Sequence, residues 1–288
     1  MKIELCTVVI TGATGGIGAA IAKQLSMQGA ELLLVARNVE NLKALQHQLI
    51  IETGKEHNYL SADITTKQGK IDLIAKASIL GANMLINSAG VSDFSRFEDM
   101  TEQAMQRAIN INLMAPMMLT QLFLAQGREN TSTEKYVVNV GSALGSIGFP
   151  CYSSYCASKF GLRGFTESIQ RELANSEDQV FYFAPRATAT TINGEAANEM
   201  NYALGNKIDA PEDVASALLK QLIKDKPRAT VGWPERLFVR LNGFIPELVD
   251  HALRKNINKI KKIAGLKQES ENKFYEKGVD QFITQYFD

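Results

Sequence analysis

The chain has 288 residues, in which 31 lysines and arginines are balanced by 31 acidic residues. That balance carries no nucleic-acid footprint and no sign of an acidic partner, so a small molecule is the expected ligand. Three scattered cysteines exclude a disulfide framework and fit a reducing compartment, while His47, His57 and His251 lie too far apart for a transition-metal cluster, so no metal is expected.

In chain order, β-branched and apolar runs occur at 7–11, 31–36, 57–60, 84–87, 136–140, 179–184 and 229–232. Short continuous runs of this kind suit strands buried on both faces. Helical periodicity fills the intervals 16–28, 39–53, 67–80, 101–126, 155–174 and 211–224. The alternation predicts βαβ units, and with them an α/β chain built on a doubly wound parallel sheet of about seven strands. MKIELCTVVITG enters a strand pattern at once, which leaves no room for a cleavable leader. No apolar run reaches the roughly 18 residues of a membrane span. A soluble cytoplasmic protein, or one held only peripherally at a membrane, is expected.

The first strand runs into TGATGGIG, where Gly12, Gly15, Gly16 and Gly18 precede a helix starting near Ile17. Free backbone N–H groups at a helix start favour an anion, and glycine lets the backbone turn tightly against a pyrophosphate. The TGxxxGxG spacing resembles that of the short-chain dehydrogenase/reductase family. The resemblance implies a Rossmann-like single domain that binds a nicotinamide dinucleotide through Gly12, Thr14, Gly15, Gly16, Ile17 and Gly18. About 20 residues on, the second strand should present the group that reads the ribose. It ends LLLVARN, with Ala36 where NAD-using relatives place aspartate, followed by Arg37. A guanidinium presents a planar fork of donors to a 2′-phosphate, so NADP(H) is the expected cofactor.

Further segments resemble the family in order. Asp63 and Ile64 of SADIT match the pair beside the adenine, with an N-cap role for Asp63 as the competing reading. NSAG resembles the family's NNAG, which implies that Asn87, Ala89 and Gly90 pack the sheet edge beside the cofactor, with Ser88 replacing the second asparagine. Asn112 in NINLMAP matches the asparagine that holds a water between the catalytic lysine and solvent.

Ser142 follows the fifth strand, and Tyr155 stands thirteen residues later in SYCASK, four before Lys159 and hence on one helical face with it. A phenol of ordinary pKa about 10 is a poor acid–base group at neutral pH. A neighbouring ammonium lowers that value, and a serine hydroxyl can hold a carbonyl oxygen on which charge develops. The resemblance makes Ser142, Asn112, Tyr155 and Lys159 the catalytic set. After the sixth strand the family shows PGxxxT, where this chain has PRATAT. Pro185 and Thr190 match as cofactor contacts, and Arg186 replaces the glycine, expected either to crowd the nicotinamide face or to turn outward towards an anionic substrate group.

Residues 191–209 carry no sharp pattern and are expected to form a mobile lid. Leu144, Ile147, Phe149 and Phe94 predict an apolar substrate wall. After Trp233-Pro234 the rhythm stops. Residues 1–233 are taken as the dinucleotide-binding catalytic domain and 234–288 as a helical extension packed on it. Leu237, Phe238, Leu241, Phe244, Ile245, Leu248, Val249, Ala252, Leu253, Ile257, Ile260 and Ile263 form an apolar stripe there, beside Arg254, Lys255, Lys259, Lys261 and Lys262. Packing on the chain's own domain or a subunit is favoured over a membrane surface. The combined reading is an NADP(H)-dependent oxidoreductase acting on an apolar ketone or 3-oxoacyl chain, as a homodimer or homotetramer assembled through 101–126 and 155–174. Steroid-like or sugar alcohols, a non-catalytic redox sensor and a membrane-tethered scaffold are the rivals.

Overall fold

The computed structural model describes residues 1–126 and 134–265. Among the described residues, seven strands form one parallel sheet: β1 (Thr7–Thr11), β2 (Glu31–Ala36), β3 (Asn58–Ser61), β4 (Met84–Asn87), β5 (Tyr136–Val140), β6 (Gln179–Ala184) and β7 (Arg228–Thr230). Their connections and flanks are helical: α1 (Gly16–Met27), α2 (Val39–Thr53), α3 (Lys67–Ile79), α4 (Glu102–Ile109), α5 (Ala115–Ala125), α6 (Ser153–Glu172), α7 (Glu195–Ala203), α8 (Pro211–Ile223), α9 (Trp233–Phe244) and α10 (Pro246–Arg254). A last helical stretch, 257–265, is α11.

The strand order β3-β2-β1-β4-β5-β6-β7 reverses at β1, which pairs with β2 on one side and β4 on the other. The crevice beyond the carboxyl ends of β1 and β4 is therefore the switch point at which such sheets bind ligands. Side chains alternate between two buried layers. Val8, Ile10, Leu32 and Leu34 meet Ile21 and Leu25 of α1 and Leu218 and Leu222 of α8. Val9, Leu33, Val35, Leu85 and Val137 meet Leu73 of α3 and Leu119 and Phe123 of α5. Both faces of the inner strands are dry, which is why β1, β2, β4, β5 and β6 read as continuous apolar runs, whereas the edge strands β3 and β7 are partly exposed. Each such buried side chain stabilises the fold by about 1.5–3 kcal/mol.

The expected helix over 101–126 is interrupted. Between α4 and α5 lies a π turn, Asn110–Met114, in which the Ala115 N–H returns to the Asn110 carbonyl. Pro116 has no N–H to give the Asn112 carbonyl four residues back, so the regular ladder cannot continue there. Contrary to the expectation from continuous apolar runs, Glu102–Ala125 is long and apolar enough to cross a membrane, with a mean hydropathy of 1.4. It is instead a core element, with Leu119, Thr120, Phe123 and Leu124 buried on the sheet side. Two smaller differences complete the account: a 3-10 turn, Ile3–Leu5, precedes β1, and the patternless 191–209 contains α7, whose Ala197 and Met200 are buried.

Candidate active site

The turn from β1 to α1 is fastened to the end of β4. Thr11 Oγ1 accepts from the Ser88 and Ala89 N–H groups at 3.1 and 3.2 Å and donates to the Ile86 carbonyl. Gly12 takes φ of 66°, and a Cβ there would lie 2.7 Å from Ala89 Cα, so no side chain is tolerated. The helices α2, α3 and α4 have side-chain caps from Asn38, Thr66 and Thr101, whereas α1 starts with no side-chain cap and no acid in its first turn. Its free N–H groups and the positive end of its dipole are left for an anion.

Those groups open on a cleft of about 1180 Å³. Of the residues singled out from sequence, Gly12, Thr14, Gly15, Gly16, Ile17, Gly18, Arg37, Asp63, Ile64, Ala89, Gly90 and Thr190 line it. Thr190 crosses the glycine turn: a Cβ on Gly16 would sit 2.5 Å from its Cγ2, so Gly16 makes room for protein as well as ligand. The buried hydroxyls of Thr190 and Ser88 have no protein partner, and both residues line the cleft. An N–H-rich turn, an exposed guanidinium at the far end and two hydroxyls left without partners fit a dinucleotide phosphate chain and its polar ends. Ser88 was passed over in the sequence because it departs from the family's asparagine; its burial without a partner is the signal only the structure supplies.

Asp63 is not the cap of α3. That role is Thr66's, whose Oγ1 accepts from the Gly69 N–H at 3.0 Å. Asp63 Oδ1 accepts from Thr65 Oγ1 and Thr65 N–H at 2.7 and 2.9 Å, and those bonds hold its carboxyl below the ordinary range. The buried Lys70 ammonium donates to the Ile64 and Thr65 carbonyls and keeps this loop in place. Asn87 lies beneath the cleft. Its amide donates to Asn139 Oδ1 at 2.8 Å and Thr120 Oγ1 at 3.3 Å, and Asn139 donates to Thr166 at 3.0 Å, a polar rung that ties the sheet to α5 and α6. Pro185 is buried at the end of β6, behind the loop that carries Thr190.

The four residues of the expected catalytic set converge beside Gly90. The Lys159 ammonium is 3.8 Å from where a Gly90 Cβ would stand, donates to the Val140 carbonyl at 2.9 Å and lies 5.8 Å from the Tyr155 ring centre. Burial brings Lys159 down to about 8. The Tyr155 phenol is not depressed here: burial pushes it up to about 12, against a hydrogen bond from Ser142 that acts to lower it. Ser142 Oγ also accepts the Leu144 N–H at 3.1 Å, which fixes it at the start of a 3-10 turn.

Asn112 is held through its amide. Its buried side chain is fully committed, donating to the Val91 carbonyl and Ser158 Oγ and accepting from the Val91 N–H at 2.8 Å. It clamps the loop after β4 to α6, so only its main-chain carbonyl, denied an α-helical donor by Pro116, is left to hold a water.

On its other side Tyr155 meets an apolar cluster. Tyr152 is the hub, with Phe94, Phe149 and Tyr155 ring centres 4.9, 6.1 and 5.9 Å away. Phe94, Cys151, Cys156, Ala197, Met200, Ile260, Ile263 and Ala264 are buried with it, and Leu144 and Phe149 pack at the margin. Ile147 is buried nearby, its carbonyl accepting from Cys156 Sγ. Cys151, at φ of 65°, turns the chain so that its carbonyl accepts the Ser95 N–H. Lys259 donates to the Ala203 carbonyl and joins α11 to the end of α7.

Neither expectation for Arg186 holds. Its side chain is buried, donating to Asp209 through Nε and Nη2 at 2.8 and 2.7 Å and to Glu235 through Nη1 at 3.0 Å. It joins the loop after β6, the base of the 191–209 segment and the first turn of α9. The carboxylates that capture it lie 23 and 49 residues away in sequence, out of sight of any local pattern.

The model of the short chain dehydrogenase family matches residues 6–201. The chain is 30% identical over 264 residues to the oxidoreductase YxnA of Bacillus subtilis, covering 88% of this chain and 73% of that one. It is 31% identical over 221 residues to the 3-oxoacyl-[acyl-carrier-protein] reductase FabG of Rickettsia bellii, covering 74% and 87%. A short-chain dehydrogenase from Sphingobium yanoikuyae, solved in complex with NADPH, superimposes with a TM-score of 0.72 at 26% identity, covering 85% of this chain and 96% of that one.

Proposed function

The chain belongs to the short-chain dehydrogenase family of oxidoreductases, which bind a nicotinamide dinucleotide, and on that footing we propose that it reduces an apolar ketone or 3-oxoacyl chain with NADPH. The observation that carries this reading is the placement of Tyr155 between the buried Lys159 and the aromatic cluster headed by Tyr152. A phenol pushed up to about 12 keeps its proton at neutral pH, which suits an acid that protonates a carbonyl oxygen.

The dinucleotide, when bound, supplies the hydride. The turn Gly12–Gly18, with Asp63 and Thr190, would hold it, and Arg37 would pair with a 2′-phosphate. Ser142 donates a hydrogen bond to the substrate oxygen and steadies the charge that develops there. Tyr155 delivers its proton to that same oxygen. Lys159, positive below about 8, stabilises the phenolate that remains, and a water on the Asn112 carbonyl returns a proton to Lys159. Phe94, Tyr152 and Met200 give an apolar chain a dry place to lie. Helices α4 to α6, on which Met114, Met118 and Phe160 are exposed, are the proposed faces of a homodimer or homotetramer.

The test is a panel of ketones and 3-oxoacyl thioesters graded by chain length, with NADPH consumption as readout. The expected result is a kcat/KM that climbs with apolar length. Preference for short polyols would move the substrate to sugars, and tight NADPH binding without turnover of any member would favour a redox sensor.

A further inference from the structure

The helix α9 has two faces of opposite character. Glu235 and Asn242, seven residues apart, turn inward, Glu235 to Arg186 at 3.0 Å and Asn242 to the Ser146 carbonyl at 2.9 Å. Trp233, Leu237, Arg240 and Phe244, spaced four, three and four apart, share the opposite face. Trp233 is 74% and Phe244 86% exposed, and Leu237 is exposed between them. Arg240 stands within this row, Arg236 borders it while donating through Nε to the Thr230 carbonyl, and no carboxylate of α9 shares it. Beyond the turn Ile245, Leu248 and Ala252 are exposed and Lys255 follows three residues later, with the exposed Glu247 beside Leu248. Val249 is buried.

A row of large exposed apolar side chains costs solubility unless something covers it. Its chemistry specifies the cover. Tryptophan and phenylalanine at helical spacing, with arginine between them and no acid of α9 on that face, match an anionic lipid surface, in which rings sit at headgroup depth and cations meet phosphates. We propose that the outward face of α9, continued by Ile245, Leu248 and Lys255, docks this chain on an anionic membrane. The inward bonds of Glu235 and Asn242 hold that face outward, so it is a fixed surface of the fold. The expectation that the tail packs on its own domain is thereby divided: Val249, Ile260, Ile263 and Ala264 pack inward, and the row from Trp233 to Leu248 is left for the bilayer.

The experiment is co-sedimentation of the full chain with phosphatidylcholine vesicles and with vesicles carrying about 30 mol % phosphatidylglycerol, at about 50 and 500 mM salt. The expected result is binding to the anionic vesicles only, weakened by salt. It should fall about tenfold or more both in Leu237→Ser/Phe244→Ser and in Arg240→Glu/Lys255→Glu. All four positions are exposed, and unchanged melting and NADPH binding would establish that the variants are folded. A wild type that stays in the supernatant overturns the proposal, as does equal binding to both vesicle types or binding that neither variant weakens. Self-association abolished by Leu237→Ser/Phe244→Ser, without vesicle binding, would assign the face to a second copy of the chain and also overturn it. Because the readout is binding, failure here leaves the proposed reaction untouched, and failure of the substrate panel leaves the docking surface untouched.

Discussion

The cleft over β1, β2 and β4 and the aromatic cluster around Tyr152 meet at Tyr155 and are walled by different means. The cleft is built largely by backbone: a glycine-rich turn, an uncapped helix start and loops pinned by Thr11, Asn112 and Lys70. The cluster is built by side chains from four distant segments, Phe94, Cys151 to Cys156, Ala197 to Met200 and Ile260 to Ala264. A backbone site demands particular residues at fixed spacing, because glycine and threonine have no substitutes at those positions. A side-chain wall demands only apolar volume, and any chain that supplies it will serve. The first is therefore rigid in sequence and general in ligand, and the second is free in sequence and particular in ligand.

The sharpest way to separate the two regions is to alter the residue they share. Tyr155→Phe keeps the ring in the cluster and removes the proposed proton donor. Turnover should fall about 10²- to 10⁴-fold, while the dissociation constant for NADPH, read from Trp233 fluorescence, stays within about twofold. Loss of both together would mean that Tyr155 shapes the cleft rather than completing the reaction.

The next largest effect is expected at the arginine that ties the loop after β6 to the 191–209 segment and α9. Arg186→Ala leaves Asp209 and Glu235 together without their cation, and stability in urea should fall by about 3–5 kcal/mol. The triple variant Arg186→Met/Asp209→Asn/Glu235→Gln should recover most of that loss. If Arg186→Ala instead kept its stability and lost affinity for an anionic substrate, the outward reading of this arginine would return.

The cleft can be sharpened by itself with Arg37→Ala. If Arg37 makes the proposed charge-assisted contact to the 2′-phosphate, its removal should weaken NADPH about ten- to a hundredfold and leave NADH unchanged. Equal weakening of both would make Arg37 a general feature of the wall.

These contrasts also explain what could be read before the fold was known. The inner strands were legible because both layers are dry, so β1, β2, β4, β5 and β6 stand out as apolar runs, and the edge strands β3 and β7, partly exposed, were placed by the strand-helix rhythm within two residues. The cleft was legible because Gly12, Arg37 and Asp63 sit on local turns. Arg186 was misread because its partners are remote, and the bonds of the Asn112 amide were out of sight because a matching position says nothing of where a side chain points. The break at Asn110–Met114 had a signal in Pro116, overlooked because the surrounding apolar period continues unbroken. The tail read as a single stripe because spacing cannot show a chain turning between α9, α10 and α11.

The smallest expected effect lies at the boundary and concerns protons. Lys159 is lowered to about 8 and Tyr155 raised to about 12, both by burial, so between pH 6 and 10 Lys159 is the member of the pair that titrates. Below about 8 it is charged and, in the proposed reduction, supports the phenolate left on Tyr155. Above about 8 that support is lost while Tyr155 still holds its proton. The kcat/KM for reduction should therefore be flat from pH 6 to about 8 and decline above it. In Lys159→Arg, charged throughout, whatever activity survives should show no such decline. Stability carries the opposite sign. The unfolded chain binds this proton up to about 10.5, so the cost of burying the charge is constant below about 8 and is relieved as pH rises from about 8 to 10.5. In Lys159→Met that rise should be missing from urea titrations at pH 8 and 10. A reduction profile that falls on the acid side instead would place the controlling proton on a group other than Lys159, and the boundary between the two regions would then have to be drawn elsewhere.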